Sequence, residues 1–255
     1  MSLLPGSGRR HFLKTTCSTL ISPQIRRSYS QQSQEDFTSG RKTQMDSMRL
    51  VGVPDSIIVM QAQDLARGVS EAYLFNHVMR SWLFAATLSK QTQVPADPEL
   101  LAVAALLHDL GLTAKYATDG NRFEVDGANA ARAFLETHRI TPKDVQLVWD
   151  AIALHSTRSI AIHKEPMVAL CHSGVQVDIS GLEYSSIDPS VMKHILHDYP
   201  RLSLKAHLTD CLCSIVRKKP TTTYDNFMRD FGERYVPGYR SRSSVDRLDE
   251  APFES

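Results

Sequence analysis

Little in this sequence points to a protein built on disulfides, spanning a membrane or binding polyanions. Four cysteines, Cys17, Cys171, Cys211 and Cys213, do not make a disulfide framework in a chain of 255 residues. Cys211 and Cys213 flank one residue, point to different sides of a helix and lack a second pair, which argues against a structural zinc site on cysteine. No apolar run approaches the roughly 18 to 20 residues that cross a bilayer. The formal net charge of +1 gives no bulk electrostatic case for a nucleic acid or an acidic membrane as partner. There is no internal repeat, Gly-rich phosphate loop or sustained heptad, and no stretch reads as a strand.

Acidic residues are also missing from one end. Residues 1–34 contain no Asp or Glu and carry Arg9, Arg10, Lys14, Arg26 and Arg27 among many Ser and Thr. An Arg-rich, Ser-rich, acid-free leader is the composition of a mitochondrial presequence, and Arg26-Arg27-Ser28-Tyr29-Ser30 looks like a matrix-processing site. The alternative is a disordered basic tail with no address, in a cytoplasmic protein. Residues 1–45 are set aside from the fold on either reading. Residues 46–238 are expected to form one domain, and 239–255 a loose, charged tail.

What is present reads as a series of helices, so the expected fold is all-α. Tyr73, Leu74, His77, Val78, Ser81, Phe84 and Leu88 fall near one stripe of a helix over residues 70–90. Three polar residues followed by proline mark helix starts: Asp97-Pro98, Thr141-Pro142 and Asp188-Pro189. The first opens a helix to Leu107, with Gly111 expected to stop it. Asp126 is expected to cap a helix to Glu136. Thr141 opens one to about His155, Ser156 to Lys164 reads as a loop, and Pro166 opens a helix to about Ile179 with Gly181 after it. The Asp188 helix ends near Pro200, and Leu202 to Lys219 forms the next.

Against that background His108-Asp109 stands out, at the end of the apolar run Leu100 to Leu107. Burying an imidazole beside a carboxylate is costly unless each finds a partner, and a divalent cation satisfies both. His77 lies on the apolar stripe of the preceding helix. Asp178 shares a face with Leu170, Cys171, Gly174 and Val175. The bland alternative is a buried polar network of the same four residues. Ligands of this kind suit zinc, iron or manganese without deciding among them. His155, at the end of its helix, is a candidate base or substrate ligand; its alternative is a helix-terminal His favoured by the dipole. His163, Arg158 and Glu124 are further candidates for substrate contact, with a surface loop His and a helix-start Glu as the plain readings of the first and last. His172 lies roughly 240° round its helix from Asp178 and is expected to point away from the site.

From about His77 to Pro220 the chain resembles the HD-domain superfamily and, within it, the fungal cyanamide hydratase-like branch. The resemblance rests on His108-Asp109-Leu110-Gly111-Leu112-Thr113, Arg122-Phe123-Glu124-Val125-Asp126-Gly127-Ala128, Ala151-Ile152-Ala153-Leu154-His155 and Tyr199-Pro200-Arg201-Leu202. It implies a helical HD bundle, metal ligands His77, His108, Asp109 and Asp178, and His155 in the pocket. Ser156-Thr157-Arg158 departs from the cyanamide hydratases. Leu112 stands where a nucleotidase-type branch has Glu and a phosphodiesterase branch has Lys, which counts against phosphoesters. The expected function is water addition to a small molecule at a nitrile-type carbon, with zinc or iron, and with Asp109 or His155 carrying the proton. A phosphohydrolase, drawing on Arg80, Lys115, Arg122 or Arg158, and a non-catalytic metal-binding sensor are the alternatives. Oligomeric state is left open.

Overall fold

Proline, placed at the first turn where its missing amide costs nothing, sets much of the helical frame. The computed structural model describes residues 47–253, and residues 1–46, with the presequence reading, lie outside them. The helices are α1 (residues 47–51), α2 (Ile57–Val69), α3 (Ala72–Thr92), α4 (Pro98–Leu107), α5 (Phe123–Glu136), α6 (Pro142–Leu154), α7 (Arg158–Ala161), α8 (Pro166–Ser180), α9 (Pro189–Asp198), α10 (Leu204–Lys218), α11 (Met228–Tyr235) and α12 (Ser244–Asp249). No strand occurs among the described residues, so the expected all-α class holds. Asp97 and Asp188 each accept two backbone amides across the following turn, and Thr141 accepts one from Asp144.

The core forms around α3 and α4. Every residue from Leu100 to Leu107 is buried, so α4 is wrapped on all sides, as its unbroken apolar run requires. It contacts α2, α3, α5, α6 and α8, and α3 runs along α8. Gly174 makes that last contact close: a Cβ there would sit 2.3 Å from the Ser81 carbonyl oxygen on α3. A smaller apolar cluster of Phe123, Leu212, Val216 and Met228 joins α10 and α11 to the start of α5.

Four local expectations change. Gly111 does not stop α4: the helix ends at Leu107, and Gly111 sits in a 3-10 turn over Leu110–Leu112. It is glycine for space, because a Cβ would meet the Phe123 carbonyl oxygen at 1.9 Å. Asp126 does not cap α5, which starts three residues earlier; its carboxylate accepts from Thr118, Asn121 and Lys219 and so ties down the loop before the helix. The stretch after His155 is not all loop but includes the single turn α7. The tail contains α12, with Ser243 and Asp246 in a capping box.

Candidate metal centre

Two helix ends and two helix faces deliver the site. α4 ends at Leu107 and His108 caps it, so the next residue, Asp109, leaves the helical path while both side chains stay buried. His155 caps α6 in the same way. In both cases the ring is fixed by the helix terminus itself. His108 Nδ1 donates to Ala105 O at 2.8 Å, and His155 Nδ1 donates to Ile152 O at 2.7 Å, each onto a carbonyl of the last turn. With Nδ1 committed as donor, each neutral ring turns the lone pair of Nε2 inward.

His77, from the middle of α3, completes the group. Its Nδ1 donates to Asp178 Oδ2 at 2.7 Å, so its Nε2 is the free nitrogen, and it lies 3.2 Å from His108 Nε2. Asp109 Oδ2 is 3.5 Å from His77 Nε2 and 3.3 Å from His108 Nε2, and Asp109 Oδ1 is 3.7 Å from His155 Nε2. The ligand atoms of His77, His108 and Asp109 all lie within 4.8 Å of one another. Two imidazole lone pairs and a carboxylate facing each other call for positive charge between them. That is the donor chemistry of a divalent cation. The electrostatics agree: burial opposes protonation of His108, yet Asp109 raises its pKa. Burial opposes ionisation of Asp109, yet His108, His77 and His155 hold its carboxyl well below the usual range. His155 is different: burial pushes its pKa down to about 4, so it stays neutral.

Asp178 is not drawn into this group. Arg80 forks onto it, Nε to Oδ1 and Nη2 to Oδ2, both at 2.8 Å, and Arg201 Nη1 donates to Oδ1 at 2.6 Å. Burial resists its ionisation, but His77 and Arg80 more than offset this and keep its pKa well below the ordinary carboxylate range. The expected fourth ligand therefore stands behind His77 as its hydrogen-bond acceptor. Arg80 is fully buried, and its remaining nitrogen donates to the carbonyls of Tyr199 and Pro200, so it is no pocket cation.

The other candidates separate. Glu124 is fully buried and accepts from Ser156 Oγ at 2.6 Å and from Arg122 Nη2 at 2.7 Å. Arg158 is exposed and lines an outer cavity of about 610 Å³ with Arg122 and Asp225. His163 is exposed and lines neither that cavity nor the inner one. His172 is not among the residues of the metal group or the inner cavity; its Nδ1 donates to the His155 carbonyl at 2.6 Å and so holds the end of α6. Nothing in the pattern of α8 signals that role, because its acceptor is a backbone atom of another helix. The tie of Arg201 to Asp178 was not read either, although Arg201 stands in the Tyr199-Pro200-Arg201-Leu202 resemblance. The residue lies outside the helices, in the turn before α10, where periodicity has no reach.

Over the group lies an inner cavity of about 230 Å³, floored by His77, Asp109 and His155. It meets the outer one at Ser156 and Phe227.

The HD domain family model matches residues 74–191, the span that contains His77, His108, Asp109, His155 and Asp178. No curated protein matches the chain.

Proposed function

We propose that this HD domain is a metal-dependent hydratase or hydrolase that adds water to a small molecule, in the manner of a cyanamide hydratase. One observation carries the reading. His77 and His108 have Nδ1 committed to acceptors, so their Nε2 atoms converge with Asp109 at the floor of a cavity. Two imidazoles and a carboxylate so placed are a donor set for a divalent cation, and they floor a cavity rather than a closed core.

His77, His108 and Asp109 hold the ion, and Asp178 orients His77 and strengthens it as a ligand. A divalent ion there supplies Lewis acidity, bringing the pKa of water from about 15.7 toward 7. His155 Nε2, unprotonated and beside Asp109, accepts a proton from the attacking water and returns it to the substrate nitrogen. For a nitrile the balance is R–C≡N plus H2O giving R–C(=O)NH2: the water oxygen bonds to carbon, and both its protons end on nitrogen. The ligands suit zinc, iron or manganese, and zinc or iron is the ion the metal analysis is expected to find. The composition of residues 1–45 supports mitochondrial import as the setting, which a fluorescent fusion of that segment tests.

The experiment is metal analysis of the purified chain together with urea release from cyanamide and amide release from simple nitriles. About one zinc or iron per chain, absent in Asp109→Ala, with water addition lost in the same variant, is the expected result. A chain that takes up no divalent ion at micromolar concentrations ends the proposal.

A further inference from the structure

The inner cavity is lined above its floor by Leu112, Phe123, Val175, Leu208, Leu212 and Phe227, with Gln176 and Ser156 as its polar side chains. No Lys or Arg lines it. The nearby cations are each engaged: Arg80 on Asp178 and two carbonyls, Arg201 on Asp178, and Arg122 on Glu124. Arg158 belongs to the outer cavity. An anionic substrate would shed its hydration against hydrocarbon and meet the Asp109 carboxylate, with the ion alone to offset both.

Size argues in the same direction. Cyanamide is only a few atoms across. A water's share of liquid volume is about 30 Å³, so a cavity of about 230 Å³ around cyanamide keeps several waters against apolar walls. Pockets with hydrocarbon walls and one or two polar groups fit ligands with an apolar body and one polar end. The polar groups are set for that end. Ser156 gives its proton to Glu124 and offers lone pairs, while Gln176 Oε1 accepts from Ser180 Oγ and leaves its amide hydrogens to donate.

We infer that the substrate is an uncharged molecule with a hydrocarbon body, an organonitrile of the size of benzonitrile rather than cyanamide or a phosphoester, and that Leu208, Leu212 and Phe227 select it. The inference rests on the water-adding reading above and names its substrate class. The reaction is the balanced hydration already written, with R an alkyl or aryl group and no oxidant or reductant required.

The test uses the metal-loaded full chain. Amide or urea release is measured with cyanamide, acetonitrile, butyronitrile and benzonitrile, and phosphate release with phenyl phosphate. In parallel, thermal shifts are recorded with benzamide and with inorganic phosphate. We expect kcat/KM to rise about fourfold per methylene from acetonitrile to butyronitrile, and benzonitrile to exceed cyanamide at least tenfold. Benzamide should raise the unfolding midpoint and phosphate should not. Leu208, half-buried at the cavity wall, also packs against two of the smaller apolar clusters, so urea unfolding of each variant is measured alongside. Leu208→Gln should flatten the chain-length slope, and Leu208→Trp should lower kcat/KM for benzonitrile by a larger factor than for cyanamide. A flat slope with cyanamide preferred overturns this inference and leaves water addition standing. Stabilisation by benzamide without any amide release overturns the reaction and upholds the ligand class. Phosphate release, or stabilisation by phosphate, overturns both.

Discussion

Asp178 decides how the site is read at the scale of single residues. A carboxylate that ligates the ion directly and one that only orients His77 differ in what its loss does. Asp178→Asn keeps the shape but weakens the acceptor for His77 Nδ1 and for Arg80 and Arg201. Removing a group that acts through a ligand typically costs 10- to 100-fold in metal affinity. We predict a loss of that size in Asp178→Asn by competition with a chelator, and no measurable retention of the ion in His108→Ala. Equal, complete loss in both would restore Asp178 to the ligand set. His155 gives a second prediction, in pH. Its folded pKa of about 4 lies below the ordinary value of 6.5, so the unfolded chain binds more protons between these limits. Its stabilising effect is whole above about pH 6.5 and is lost as pH falls toward 4. In the metal-free protein, His155→Gln should remove about 2 kcal/mol of the stability difference between pH 7 and pH 5, read from urea unfolding at the two pH values. An unchanged difference would mean that other groups carry the acid sensitivity.

Helices bring these residues together, and their seams set the tolerances. α3 carries His77 and Arg80, α8 carries Asp178, and Gly174 lets the two approach. The Cβ of Gly174→Ala would lie 2.3 Å from the Ser81 carbonyl and 2.6 Å from the Ala85 Cβ, both on α3, so the helices must part. Overpacking of this kind typically costs 1–3 kcal/mol. Because the movement also separates His77 from Asp178, we predict that Gly174→Ala lowers both the unfolding free energy by about that amount and metal affinity, measured by denaturant titration and chelator competition. A stability loss with intact affinity would show that the site does not depend on this seam. The same scale shows what the sequence could disclose. Asp97, Thr141 and Asp188, each before a proline, announce α4, α6 and α9, because cap and proline act within one turn. α2 and α11 begin without a side-chain cap and give no such notice. The order His77, His108-Asp109, His155 was legible because each sits on or at the end of a periodic apolar segment. The tie of Asp178 to Arg80 and Arg201 was not, since it joins residues 98 and 23 positions apart across separate elements.

Taken whole, the molecule places a gathering of acceptors at the meeting of α3, α4, α6 and α8, the helices that form its main core. Folding must therefore bury imidazoles and a carboxylate that hold together through positive charge among them, a proton on His108 in the metal-free chain and the ion in the loaded one. An ion that binds the folded chain and not the unfolded one stabilises it by RT ln(1 + [L]/Kd), about 4 kcal/mol at a thousandfold excess over Kd. For a domain of this size each kcal/mol moves the midpoint by about 2–4 °C. Removing the ion with a chelator should thus lower Tm by about 8–16 °C, with recovery on adding zinc or iron back, followed by calorimetry. The control is His108→Ala: with a ligand gone, its Tm should be insensitive to chelator and to added metal. If the unaltered chain is equally insensitive, the four buried polar residues form a closed network of their own, and the cavity above them is a binding site without a metal.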